Sequence, residues 1–190
     1  DEEKGRWLLR LLLDRRLQNA RERQVESRAM ADLAQGAALC EIQLADDCDL
    51  LVDASDRRSW YYQFQVTPER AASQVFGPAR PLADFSGFAA AAGLPEGRYH
   101  PALATMAQGD HNACEYAQDA HINLLRSAGC ARPVELVRAR GPVPRGPCWE
   151  GVVIDDHFTV YQTPKHGAGG RGVERAAAVR AASSRAYAAA

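Results

Sequence analysis

Lysine is almost missing from this chain. Lys4 and Lys165 are the only lysines, arginine supplies the remaining positive charge, and the formal net charge is −1 at pH 7. So balanced a protein has no global basic field to draw in nucleic acid, and any such contact must come from local placement. Arginine forks do suit phosphate better than lysine point charges. The cysteines are Cys40, Cys48, Cys114, Cys130 and Cys148; their number is odd and none forms a Cys-x-x-Cys pair. This argues against a disulfide scaffold and against a zinc ribbon, and free thiols in a reducing compartment are expected. No apolar run is long enough to span a bilayer. The Leu-rich segment near the start is broken by Arg10 and Asp14, so it reads neither as a membrane span nor as a signal peptide. There is no internal repeat. The chain opens on Asp1 rather than Met and stops inside an Ala-rich stretch, which reads as a fragment of a longer protein.

What is present is ordinary globular material: 190 residues, 46% hydrophobic and 25% charged. That is enough for one domain with a real core. Residues 7–14 form an apolar run that periodicity cannot assign to strand or helix. Residues 20–35 are charged and Ala-rich and are predicted partly helical. Leu50 to Asp53 is a predicted strand leading into Ala-Ser-Asp. The aromatic run 60–66 is β-prone. Thr67-Pro68-Glu69 opens a helix, with Pro at its first position. Residues 77–101 carry Gly and Pro and read as an extended connection. Residues 110–127 give the best helical spacing, with Asp110 as N-cap. Pro142 to Pro147 is a loop, Gly167 to Gly172 a Gly-rich break, and 173–190 a helix.

The most informative stretch is 152–160, Val-Val-Ile-Asp-Asp-His-Phe-Thr-Val. Two carboxylates stand between β-branched runs, the pattern of a strand, a two-residue turn and a returning strand. Asp155 and Asp156 are then adjacent like charges that repel unless a cation or a structural role justifies them. A hard, oxygen-loving ion such as Mg²⁺ would supply the cation. Asp is also simply a common turn residue. In the hairpin, His157 is expected to face away from the carboxylates.

Three further blocks precede it: Arg10-Leu-Leu-Leu-Asp14-Arg15-Arg16-Leu17-Gln18-Asn19; Asp56 followed by Tyr61; and Met106-Ala107-Gln108-Gly109 entering a helix with a later Gln118. Together, in this order, they resemble the fingers and palm of retroelement reverse transcriptases. Arg10, Asp14, Arg16 and Asn19 match the family's first block. Asp56 and Tyr61 match its metal-binding Asp and following aromatic. Gln108, Gly109 and Gln118 match its Leu-Pro-Gln-Gly helix entry, and Asp155-Asp156 its paired carboxylates. The chain departs from the family pattern at Ala107 for Pro, at Trp60 for a small residue, and at Val153 for an aromatic.

The resemblance implies an α+β fold, with a palm-like antiparallel sheet packed on helices and a partial N-terminal fingers region. Residues 1–190 would then be a single fingers and palm domain truncated at its C-terminus, with 1–49 as fingers and 50–190 as palm carrying an inserted fingers segment; the thumb would be absent. It implies an RNA-directed DNA polymerase from a retrotransposon polyprotein. Asp56, Asp155 and Asp156 would be the catalytic carboxylates, holding two Mg²⁺ ions, with Mn²⁺ as a substitute. Arg10 would neutralise the triphosphate, Tyr61 would exclude a 2′-hydroxyl by size (Trp60 if the register shifts by one), and Gln108 and Gly109 would line the nucleotide pocket. The implied partners are an RNA or DNA template with primer, deoxynucleoside triphosphates, and the thumb and RNase H regions of the longer chain; no membrane is involved and the location is intracellular. The isolated chain is not expected to extend a primer at a useful rate. The chemistry is consistent with these residues, since nucleotidyl transfer needs two divalent ions roughly 3.5–4 Å apart, held by carboxylates.

The residues also carry plainer readings. Asp56 can cap a turn, and Asp53 is a rival for its role. Tyr61 and Tyr62 can be half-buried aromatics, and Arg10 can pair with Asp14. His111 and His121 are too far apart to chelate from one helix face and read as ordinary. Two alternatives therefore stay open: a non-catalytic nucleic-acid-binding remnant of a polymerase palm, and an unrelated α+β interaction domain whose Asp pair caps a turn.

Overall fold

Alternation of inward and outward residues on both sides of Asp155 does produce a hairpin, and the strand before Asp56 completes its sheet. The computed structural model describes residues 2–3, 6–7, 12–27, 29–166 and 169–190. In chain order the elements are β1 (Glu2–Glu3), β2 (Arg6–Trp7), α1 (Arg16–Asn19), α2 (Gly36–Leu39), β3 (Cys48–Asp56), α3 (Pro68–Ala72), β4 (Arg80–Pro81), β5 (Arg98–Tyr99), α4 (Ala113–Ser127), β6 (Cys148–Val153), β7 (Asp156–Pro164) and α5 (Arg171–Ala189). Short 3-10 turns lie at Ala29–Asp32, Trp60–Gln63, Leu82–Phe85 and Ala89–Ala91. The fold class is α+β. Among the described residues, no helix is long and apolar enough to cross a membrane.

The chain divides into two units. One holds residues 1–23 and 61–113, the other residues 24–60 and 114–190. The second unit is built on an antiparallel sheet in the order β3-β7-β6. Because successive side chains point to opposite faces, the register sorts the sheet into two sides. Cys148 with Tyr161, Glu150 with Thr159 and Val152 with His157 share one side; Trp149 with Val160, Gly151 with Phe158 and Val153 with Asp156 share the other.

The first side faces α4 and α5. Ile122, Leu125, Leu136, Val152 and Val179 interlock there with Cys130 and Ala131. Each such large aliphatic side chain contributes about 1.5–3 kcal/mol by leaving water. Polar groups on this side are paired. The fully buried Glu150 accepts from the Ala131 amide at 2.9 Å, meets Arg175 at 3.2 Å and lies 3.2 Å from His157 Nε2. Arg175 also pairs with Glu135 at 2.5 Å, and Asp53 pairs with Arg180 at 2.9 Å. α5 comes unusually close to the sheet at Gly172: a Cβ there would stand 2.7 Å from the Pro147 carbonyl oxygen and nearer still to that of Gln162. The second side is covered at one end, where Val137, Trp149 and Val160 pack with Ala38, Leu39 and Ile42.

Among the described residues of the first unit, polar side chains make an interlocked set of pairs. Buried Arg15 pairs with Glu22 at 2.8 Å, Arg70 pairs with Glu22 at 2.7 Å, and Arg70 also pairs with buried Asp110. Gln74 is buried and satisfied: its amide donates to the Leu103 and Thr105 carbonyls, and its oxygen accepts from the Ala107 amide. The Thr67 hydroxyl caps α3 by accepting from the Arg70 amide at 3.3 Å, as the Thr-Pro-Glu reading predicts.

Three expectations need correction. Residues 60–66 are not a strand. Ser59 takes a φ of 55°, which ends the extended chain, and a 3-10 turn follows with Trp60 buried. Residues 20–35 contain no α-helix among those described, only the 3-10 turn Ala29–Asp32; they lack the apolar stripe whose packing stabilises a short helix. The hairpin turn is one residue earlier than the Asp-Asp reading places it: Val153 pairs with Asp156, leaving Ile154 and Asp155 as the turn.

Candidate functional site

Asp56 ends β3 and is the register partner of Asp156, the first residue of β7. Counting along the strands puts both on the side of the sheet away from α4 and α5, at the end that the Trp149 cluster leaves uncovered. Asp155 stands next to Asp156 in the turn, and its carbonyl accepts from the Arg57 amide at 2.9 Å. The three carboxylates are thus brought to one end of one sheet by strand pairing. Among the described residues none of them has an ion-pair partner. Partial desolvation, and then the like charges of Asp155 and Asp56, hold the Asp156 carboxyl above its ordinary range. Among the described residues, no three His, Cys, Asp or Glu side chains are already gathered closely enough to grip a metal ion.

The turn is strained and buttressed. Ile154 has a φ of 58°, a left-handed conformation costly for a β-branched residue, of order 1–3 kcal/mol. Positive φ at the first central residue of a two-residue hairpin belongs to the type II′ turn, where Gly is the usual occupant. Gln118 from α4 holds the end of β6 and the turn: its amide donates to the Val152 carbonyl at 3.1 Å and its oxygen accepts from the Ile154 amide at 2.6 Å. His121, one turn further on, reaches the Ile154 carbonyl through Nδ1 at 2.8 Å. A carbonyl only accepts, so Nδ1 carries the proton and Nε2 accepts from the Tyr187 hydroxyl, 2.8 Å away. Burial, with help from the charges of His157 and Arg57, pushes His121 down to about 4 despite that hydrogen bond to Ile154.

The plainer readings resolve in part. Asp53 is on the helix side and paired with Arg180, so it is not a rival to Asp56. His157 is buried on the helix side against Glu150 and faces away from Asp156, as the alternation predicts. Trp60 is buried, donates its indole N–H to the Ala117 carbonyl at 3.2 Å and stacks on His121 with centroids 5.1 Å apart; it is a core residue and no sugar gate.

Tyr61, Gln108 and Gly109 belong to the first unit and are placed within it. Tyr61 is half-buried in the 3-10 turn. Gln108 is half-buried in the turn before α4. Gly109 has a φ of 98°, and a Cβ there would stand 2.9 Å from the Leu13 carbonyl, so only Gly fits. Asn19 clasps this turn, donating to the Gly109 carbonyl at 2.8 Å and accepting from the His111 amide at 3.3 Å. The first sequence block and the Gln-Gly block are therefore neighbours. Asp14 and Arg16 form an exposed pair at 2.6 Å that lowers Asp14 to about 2. Arg10 lies outside the described residues.

Sequence reasoning gave no role to His121, Tyr187, Arg57 or Arg15. Only Gln118 carried a signal, its spacing from Gln108. Comparison of the chain with family models, with curated proteins and with solved structures finds no match.

Proposed function

We propose that the Asp56, Asp155 and Asp156 cluster is the carboxylate centre of a nucleotidyltransferase of the reverse-transcriptase kind, an RNA-directed DNA polymerase. The observation that carries this reading is the pairing of Asp56 with Asp156 across β3 and β7, with Asp155 adjacent in a buttressed turn. Carboxylates are the hard oxygen donors that Mg²⁺ takes, and mutual repulsion among three of them, with no ion-pair partner among the described residues, fits a divalent cation. Asp56 and Asp155 would hold it, with Asp156 assisting. When bound, two such ions activate a primer hydroxyl and steady the triphosphate. By the resemblance alone, Arg10 would meet triphosphate charge, Tyr61 would exclude a ribose 2′-hydroxyl, and Gln108 and Gly109 would line the nucleotide.

The test is a Mn²⁺ titration followed by electron paramagnetic resonance, with Mg²⁺ competition, on the chain and on Asp155→Asn, beside a template–primer extension assay. Binding that weakens at least tenfold in the variant supports the centre. Absent binding, or equal binding in both, overturns it. Template–primer binding without metal binding points instead to a nucleic-acid-binding remnant, and neither to an interaction domain.

A further inference from the structure

Neither arm of the carboxylate cluster is held by its own strand alone. We propose that Tyr187 and His121 are positioning residues that tie the end of β3 to the β6–β7 turn, and so fix the separation of Asp56 from Asp155. The tie deepens the metal-centre reading above, and its structural part stands without it.

The geometry runs through one phenol. Tyr187 lies in the last turns of α5. Its hydroxyl donates to His121 Nε2 at 2.8 Å, and His121 Nδ1 donates to the Ile154 carbonyl at 2.8 Å, immediately before Asp155. The hydroxyl of Ser55, immediately before Asp56, donates instead to the His157 carbonyl across β3 and β7 at 3.4 Å. Arg57, immediately after Asp56, lays its guanidinium over the Tyr187 ring at 4.1 Å and gives its backbone N–H to the Asp155 carbonyl at 2.9 Å. One side chain therefore touches the residue after Asp56 directly and reaches the residue before Asp155 through one imidazole. Proton positions run in a single direction, from Tyr187 to His121 to Ile154, because the terminal carbonyl cannot donate. Trp60 packs against the imidazole and limits its rotation. Among the described residues, no ion pair joins His121, Tyr187 or Arg57 to a carboxylate, so they act on the aspartates through the backbone, as groups behind metal ligands commonly do.

The experiment replaces Tyr187→Phe, which deletes only the hydroxyl, and separately His121→Leu. Backbone amide hydrogen exchange is read at Arg57 and Ile154, with Val160 as reference in the middle of β7, and Mn²⁺ affinity is measured in parallel. The expected result is at least tenfold faster exchange at Arg57 and Ile154 with Val160 unchanged, and Mn²⁺ binding weakened about tenfold. Unchanged exchange at both sites overturns the proposal. So does equal acceleration at all three positions, which would show a general loss of stability. Localised acceleration in a chain whose wild type binds no Mn²⁺ supports the tie and sinks the metal centre, so the two failures are told apart. Should His121→Leu unfold, Tyr187→Phe decides.

Discussion

On the side of the β3-β7-β6 sheet turned toward α4 and α5, the ionisable groups are matched. Glu150 meets Arg175 and His157, Glu135 meets Arg175, and Asp53 meets Arg180. On the other side, at the turn end, Asp56 and Asp156 oppose each other across two strands with Asp155 alongside. The same strands thus carry neutralised charge on one side and accumulated charge on the other. Charge on the first side contributes to the fold and costs much to disturb. Charge on the second costs stability as it stands, and a group kept at such a cost is a candidate for work beyond folding.

The largest effect that could break this contrast is at Glu150. Glu150→Ala strips the partner from buried His157 and the Ala131 amide and half the pairing of half-buried Arg175. A loss of about 3–5 kcal/mol is expected, read as a drop in the urea midpoint; a loss under about 1 kcal/mol would mean the matching is not structural.

Acid should act next, and through the matched side. His121 is held down to about 4 by burial, with His157, Arg57, Tyr187 and the Ile154 carbonyl around it. Above its ordinary value of 6.5 the imidazole is neutral folded or unfolded and contributes nothing to pH dependence. As pH falls below that, the unfolded chain takes up a proton that the folded chain refuses, so stability declines until about pH 4. The loss from this group is at most about 3 kcal/mol. Denaturation series from pH 7 to pH 4 check it; His121→Leu should flatten that part of the slope.

The smallest effect is on the unmatched side and has the opposite sign. Asp156→Asn relieves repulsion from Asp155 and Asp56 at an exposed position. Stability at pH 7 should rise, by less than about 1 kcal/mol after solvent screening. A clear fall in the urea midpoint would show that Asp156 has a structural partner.

How much of this was legible in advance follows the range of the interactions. The hairpin around Asp155, the strand ending at Asp56, the helix 113–127 and the Thr67 cap are written in residues close to one another, and period-two or helical spacing exposes them. The aromatic run 60–66 misled because β propensity reports a fit to a half-buried pleated surface, whereas the chain turns at Ser59, beyond the end of β3, and Trp60 enters the core. The turn falls one residue before the Asp-Asp reading because Ile is the wrong chemistry for a left-handed position, and long-range hydrogen bonds from Gln118, His121 and the Arg57 amide meet it there. His121 and Tyr187 were invisible as a pair because they are far apart in sequence and meet only after α4 and α5 have packed on the sheet. Asn19 and Gly109 were legible as separate matches, but not as partners.

Gly172 gives α5 a further property. The backbone of the helix rests against the Pro147 and Gln162 carbonyls at a place where no side chain fits, so its position along its own axis is indexed near the N-terminus. Tyr187 lies fifteen residues on, about 22 Å away at 1.5 Å per residue. A slip of a single residue would carry the phenol about 1.5 Å along the axis and about 100° around it, out of reach of His121 and Arg57 alike. α5 thus behaves as a ruler: a glycine sets its zero at one end of the sheet, and the reading is taken at the other, beside the turn that bears the aspartates.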